Sequence, residues 1–196
     1  MARTLEFYFD YGSPYSYLAD TQVETIARRA GAALARKPML LGGVFKATGN
    51  ASPMTVELKS KWSAFDLPMW ARHYGVPFNR NPHFPVNTLA LMRGAAAAQI
   101  DGVFEQYHPA MFKAMWIDAL DLNQPALTAR TLQDAGFAPE AVQALAADPE
   151  VKAALKATTE EAVARGVFGA PTMFVGDEMF WGQDRLDFVR EALAAA

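Results

Sequence analysis

Leu5, Phe7 and Phe9 alternate with Glu6 and Tyr8, a period of two that predicts a β-strand. Gly12 ends the run. Ser13 then suits a helix N-cap and Pro14 the first helical position, where a missing N–H deprives no partner. Tyr15, Leu18, Ala19, Val23, Ile26 and Ala27 follow at helical spacing and predict a helix from Pro14 to about Ala30, with Gly31 as its stop. The Ser13 hydroxyl therefore stands at the positive end of a helix, where free N–H groups and the dipole favour an anion. Ala33 to Leu41 predicts a second strand, with Pro38 marking either its end or an edge position. Strand, helix, strand in this order implies a parallel, right-handed βαβ unit.

Gly42-Gly43 predicts a loop, with Val44 to Asn50 leading out of it. From Thr55 to about Arg165 the pattern is helical. Thr55 to Asp66 is one helix, and Pro68 either kinks it or starts a second helix running to Tyr74. Val76 to Pro85 holds Pro77, Pro82 and Pro85 with Asn79 and Asn81, and reads as an extended loop. Asn87 caps a helix through about Gln99. Gly102 to Ile117 is amphipathic, with Phe104, Tyr107, Met111, Phe112, Met115 and Trp116 on its apolar side. Further helices span Pro125 to Ala135 and Pro139 to Ala146, and a longer one runs from Asp148-Pro149 to Gly166. Strands return at Thr172–Val175 and Glu178–Trp181, joined by Gly176-Asp177 as a hairpin. After a break at Gly182-Gln183-Asp184 the chain ends in a helix, Arg185 to Ala195, with Asp184 expected as its cap.

The 196 residues fit one domain, or one domain carrying a large insertion, and 52% hydrophobic residues suffice for a sizeable core. A net charge of −3 gives no nucleic-acid footprint. No apolar run is long enough to span a membrane, so no membrane partner is expected. The strand begins almost at once, with no charged-then-apolar leader, and a cytoplasmic protein is expected. The chain has no cysteine, which excludes disulfides, thiolate metal sites and thiol redox chemistry by its own side chains. His73, His83 and His108 lack metal-ligand spacing, and no metal is expected. The 13 Phe, 6 Tyr and 4 Trp either fill the core or line a pocket that favours aromatic ligands.

The order β-α-β, helical block, Pro, β-β-α is the thioredoxin arrangement with an insertion. FDYGSPYSYL at 9–18, GGVFKATGN at 42–50, FPVNTLALMR at 84–93, AMWIDALDL at 114–122, and GVFGAPTMFV with FWGQDR at 166–185 carry a resemblance that spans nearly the whole chain. The sequence resembles the kappa-class glutathione transferases and the bacterial 2-hydroxychromene-2-carboxylate isomerases, within the DsbA-like branch of thioredoxin folds. The fold expected is α/β: a thioredoxin-like domain at 1–46 and 149–196, interrupted by a helical domain at 47–148.

Relatives with redox activity carry Cys-x-x-Cys at the first helix start, where this chain has Ser13-Pro14-Tyr15-Ser16. A helix end that favours a thiolate, without its own sulfur, implies that the sulfur arrives with a ligand, glutathione. The resemblance implies a cis bond at Ala170-Pro171, with Ala170 offering backbone to the ligand in strand-like fashion. It further implies Asn50 and Lys59 as glutathione contacts, Lys59 being either a partner of the glycyl carboxylate or a solvated helix lysine. Gln183 and Asp184 stand where relatives have a Ser-Asp pair that holds the γ-glutamyl end, with Asp184 toward the ammonium. Gln183 departs from that pair, so only its backbone carries over. Arg185 is either a carboxylate partner or a surface residue.

The activity implied is isomerisation of 2-hydroxychromene-2-carboxylate, or a similar aromatic 2-oxo acid, by reversible thiolate addition. Ser13 would hold the thiolate. Lys46 is either a holder of the substrate carboxylate or a surface lysine, and His83, in the proline-rich loop, is a further substrate candidate. A kappa-like transferase and a non-catalytic peptide-binding module are the alternatives. A homodimer is expected from the family.

Overall fold

The computed structural model describes residues 3–195. Its sheet holds β1 (Thr4–Phe9), β2 (Ala33–Pro38), β3 (Thr172–Val175) and β4 (Glu178–Trp181) in the order β2-β1-β3-β4. β1 is parallel to β2 and antiparallel to β3, and β3 and β4 form the antiparallel hairpin. Helix α1 (Pro14–Ala30) connects the parallel pair. Because β1 is central, Leu5, Phe7, Tyr8 and Phe9 are all fully buried, on both faces of the strand.

The alternation along β1 sorts the core. Leu5, Phe7 and Phe9, with Met173 and Val175, join α1 and the terminal helix in one apolar cluster. Tyr8 and Phe174 point to the other face and meet Val44 and Ala162. Between the two halves of the sheet come α2 (Leu41–Thr48), α3 (Glu57–Tyr74), α4 (Leu89–Ile100), α5 (Phe104–Trp116), α6 (Pro125–Asp134), α7 (Pro139–Ala147) and α8 (Pro149–Ala164). A 3-10 turn at Gln183–Arg185 leads into α9 (Leu186–Ala195). Leu67, Leu91, Met92, Met111, Trp116 and Leu132 of the inserted helices share the cluster beneath α1. The result is an α/β thioredoxin-like fold with a helical insertion. Close packing of α4 on α5 depends on Gly94, where a Cβ would run into the Tyr107 hydroxyl that donates to the Leu91 carbonyl. None of the helices among the described residues is long and apolar enough to cross a membrane.

The expectations for Gly42-Gly43 and Asp184 need correction, and those for Pro68 and the second strand hold in part. Gly42-Gly43 is not a loop but lies inside α2, so a boundary between 46 and 47 falls within a helix. Two glycines cost a helix about 1 kcal/mol each, and Leu40 at the N-cap supplies no side-chain bond. Distant groups supply it instead: Asp10 accepts from the Leu41 N–H at 2.8 Å, and the Thr159 hydroxyl accepts from the Leu40 N–H at 3.0 Å. Of the two expectations for Pro68, a kink or a second helix, the second is excluded, because α3 runs through it. β2 ends at Pro38, one of the roles expected of that proline, and lies at the sheet edge, leaving Met39 to Leu41 outside the strand. Asp184 makes no capping bond; its carboxylate sits 3.3 Å from Arg185 instead.

A chain of buried polar groups crosses from the strand side to the insertion. The Tyr11 hydroxyl lies 3.2 Å from Nδ1 of His108, and Nε2 of His108 lies 2.9 Å from Asp20. Asp20 also accepts from Arg36 at 3.0 Å. Phe9, Phe104 and Phe112 ring the imidazole, with centroids 4.7–4.9 Å away. Burial alone raises the Asp20 carboxyl pKa, but His108 and Arg36 outweigh it and hold the group below the ordinary 3.8. Asp20 therefore contributes stability that is complete above pH 3.8 and is lost as the pH falls through its lower folded-state value. Asp20→Asn should destabilise the protein at neutral pH by about 3 kcal/mol, read from urea unfolding. The gap between the two proteins should close below pH 3.8.

Candidate active site

Residues 10–13 turn the buried end of β1 into the start of α1. Such a turn leaves backbone groups to be satisfied out of reach of water. The Asp10 carbonyl accepts from the Ser13 N–H at 3.0 Å, and the Asp10 carboxylate accepts from the Gly12 N–H at 2.8 Å. Tyr11 is fastened by the insertion. Its carbonyl accepts from the Trp116 indole N–H at 2.8 Å, and its N–H points at the Met92 sulfur at 3.4 Å. The loop is thus clamped from α4 and α5, and the position of Ser13 follows from theirs.

Ser13 is the N-cap of α1 and is 5% exposed. Its Oγ accepts from the Ser16 N–H at 3.1 Å and donates to the Ala170 carbonyl at 3.2 Å. The Ala170–Pro171 bond is cis. One hydroxyl therefore joins the helix start to the segment before β3, and its single proton rests on Ala170. Ser16, one turn into α1, is fully buried, and its Oγ has no hydrogen-bond partner among the described residues.

Asn50 reaches the same segment from the end of α2. Its amide donates to the Phe168 carbonyl at 2.8 Å, two residues before Ala170, while its Oδ1 accepts from the Ala51 N–H. Lys46 is exposed in the last turn of α2, and Lys59 is exposed in the first turn of α3. Phe168 packs on Trp181 at 4.9 Å, and the indole lies so close to Gly169 that a Cβ there would meet it at 2.6 Å. Trp181 remains 50% exposed beside this segment.

On the other side of the α1 start, the buried Gln183 gives its carbonyl to the Tyr74 hydroxyl at 2.8 Å, so its backbone is already engaged. Tyr15, two residues after Ser13, donates to Asp66 of α3 at 2.8 Å. Burial, then the bond to Asp66, then the charges of Asp66 and Asp184 raise the Tyr15 hydroxyl pKa well above its ordinary value. Tyr15, Asp66, Asp184 and Arg185 thus form an acidic cluster with one guanidinium at the helix start. A cavity of about 130 Å³ between α1, α3 and α9, lined in part by Arg29, Trp70, Tyr74 and Arg190, takes in Gln183 and Asp184 but not Ser13.

Ser13, Ala170, Pro171 and Asn50 are brought together, and Gln183, Asp184 and Arg185 follow along one flank. His83 is placed instead near Asp121, 3.9 Å away, in a loop that Asn81 pins to the carbonyls of Met115 and Leu120. Asp10, Tyr15, Asp66, Phe168 and Trp181 are additional to the sequence reading. Only Asp10 left a signal there: an acid at the end of an otherwise apolar strand, just ahead of a glycine.

Comparison with known proteins agrees with the fold. A family model, the DSBA-like thioredoxin domain, matches residues 4–194. A 2-hydroxychromene-2-carboxylate isomerase of Sphingobium xenophagum is 34% identical over 98% of this chain and 99% of its own. Glutathione S-transferase kappa 1 of Homo sapiens is 28% identical over 98% of this chain and 92% of its own. A solved 2-hydroxychromene-2-carboxylate isomerase superimposes with a TM-score of 0.87 at 29% identity, covering 98% of this chain and 95% of that one. With a cysteine-free helix start on a thioredoxin frame, and relatives that are enzymes along its full length, this chain belongs to the DSBA-like thioredoxin domain family, on its 2-hydroxychromene-2-carboxylate isomerase side.

Proposed function

We propose that the protein is a glutathione-dependent isomerase acting on 2-hydroxychromene-2-carboxylate or a similar aromatic 2-oxo acid. The observation that carries this reading is the Ser13 hydroxyl at a buried helix start, bonded to the Ala170 carbonyl, in a chain with no cysteine. The site suits a thiol-bearing peptide. The N-terminus of α1 favours a thiolate, the backbone before Pro171 suits an extended peptide, and the buried Ser16 Oγ has a hydrogen bond still to make.

Bound there, glutathione supplies a thiolate whose reversible addition to the conjugated double bond of the ring-opened substrate lets that bond rotate from cis to trans. Ser13 turns its proton from Ala170 to the sulfur and holds the charge. Ala170 offers its backbone to the cysteinyl part, next to Pro171. Asp184 meets the ligand ammonium, with Gln183 and Arg185 beside it. Asn50 and Lys59 serve the glycyl end. Lys46 takes the substrate carboxylate, His83 stands as an outer contact, and the exposed Trp181 offers its face to the aromatic ring. The 28% identity to a kappa-class transferase favours a second reading, in which the glutathione conjugate is kept rather than released. A product assay separates the two: glutathione conserved over many turnovers means isomerase, and glutathione consumed one for one means transferase.

A charge-assisted bond to a thiolate is worth roughly 1.5–3 kcal/mol, against about 1 kcal/mol for the bond Ser13 gives up at Ala170. The difference is about one pKa unit. Ser13→Ala should therefore raise the pKa of bound glutathione by about one unit and slow turnover most at neutral pH, while affinity at low pH changes little. Thiolate absorbance against pH, for both proteins saturated with glutathione, measures it. Equal midpoints would leave Ser13 as a helix cap alone.

The protein is further proposed to be a homodimer. Leu58, Trp62, Phe65 and Met69 form a stripe along α3, and they are 76%, 62%, 73% and 47% exposed. Such a contiguous apolar stripe marks an interface. Light scattering at micromolar concentration should give twice the chain mass. Trp62→Asp with Phe65→Asp should return it to the mass of one chain, with the far-ultraviolet circular dichroism unchanged.

A further inference from the structure

Asp10 ends β1 and is 1% exposed. A carboxylate buried this deeply is costly unless its oxygens are hydrogen-bonded. Two uncharged donors meet it, the Gly12 N–H on Oδ1 at 2.8 Å and the Leu41 N–H on Oδ2 at 2.8 Å, and the side chain of Thr88 lies against the same turn.

Each of these three residues belongs to a different helix start. Gly12 precedes the cap of α1, Leu41 opens α2, and Thr88 is the N-cap residue of α4. Neither α2 nor α4 receives a bond from the side chain of its own cap residue. A single carboxylate thus sits among three helix N-termini, whose dipoles and N–H groups offset part of the cost of its burial, although burial still raises its pKa above the ordinary 3.8. The fit is tight: a Cβ on Gly12 would lie 3.1 Å from Cγ2 of Thr88 and 3.3 Å from Oδ1 of Asp10.

We infer that Asp10 is a positioning residue: it fixes the start of α1, and with it Ser13, against α2, which leads to Asn50, so that both meet the bound ligand at the correct separation. This rests on the glutathione-dependent reading above. Only a side chain that accepts at both ends serves here. Asparagine, of the same shape, would turn an NH₂ group toward one of the two backbone N–H groups and push either the loop or α2 away.

The sign of one measurement separates positioning from its rivals. As a bare negative charge, Asp10 disfavours a thiolate nearby, so removing the charge would lower the pKa of the bound thiol. As a positioning group it aims Ser13 and the α1 end, so its loss would raise that pKa. The experiment titrates glutathione absorbance on the wild type, Asp10→Asn and Thr88→Val. It also follows amide hydrogen exchange in the ligand-free proteins and measures kcat and KM.

In Asp10→Asn, exchange at Gly12 or Leu41 should quicken by about tenfold while the β3 amides stay protected. The bound thiol pKa should rise by about half to one unit, and kcat should fall more than KM changes. Thr88→Val, which removes only the hydroxyl packed beside the carboxylate, should move all three in the same direction by less, and it carries the test if Asp10→Asn does not fold. A lower thiol pKa, or an unchanged one beside faster exchange, overturns the positioning role. Unchanged exchange at both Gly12 and Leu41 overturns the anchoring itself. A wild type that takes up no glutathione sinks the proposed function and the thiol part of this inference, and is told apart because the exchange result does not depend on ligand.

Discussion

A strand buried on both faces cannot turn into a helix without carrying backbone N–H and C=O groups into a dry interior, and the satisfaction of those groups at residues 10–13 is what the rest of this structure depends on. Asp10 takes the Gly12 and Ser13 N–H groups, one on its carboxylate and one on its carbonyl. Trp116 takes the Tyr11 carbonyl, and the Ser13 hydroxyl takes the Ser16 N–H. No residue within the turn itself supplies the Trp116 or Met92 contacts. They come from the insertion, which therefore acts on the helix start and does not simply extend the fold.

The same logic explains α2. A helix opening with Leu-Gly-Gly is poor by propensity. It forms because Asp10 and Thr159 receive its first N–H groups and because Val44 is buried beneath Tyr8 and Phe174. Once formed, it delivers Asn50 to the Phe168 carbonyl and so braces the segment that holds Ala170. Ser13 meets that segment from the opposite side. The candidate site is therefore a seam between two halves of the chain lying more than 150 residues apart, closed by hydrogen bonds from α1 and α2.

The chemistry follows from what the seam lacks. The N-terminus of a helix is a place that lowers the pKa of a thiol, and here Ser13 occupies it. With serine at the cap, the frame keeps its electrostatic bias and loses its own nucleophile. Asp66 and Asp184, with Arg185, gather near the start of α1, and the exposed Trp181 packs on Phe168 of the segment before the cis bond.

The periodicities by themselves determined the four strands, the long helices and the Ser-Pro helix start, because local alternation and capping decide those elements. The motifs from Phe9 to Leu18 and from Gly166 to Arg185 also pointed to the two segments that meet at Ser13 and Ala170. Tertiary structure alone decided the rest. Gly42-Gly43 became helix because its caps come from Asp10 and Thr159, remote in sequence. Pro68 stayed inside α3 because the helix lost one bond and kept its packing through Leu67 and Ala71. Asp184 left the cap because Gly182 and a 3-10 turn start the last helix differently. His83 went to Asp121 because Asn81 pins its loop to the end of α5. For Gly42-Gly43 and the His83 loop the deciding partner lies far along the chain, and a long-range hydrogen bond leaves no periodic trace in the sequence.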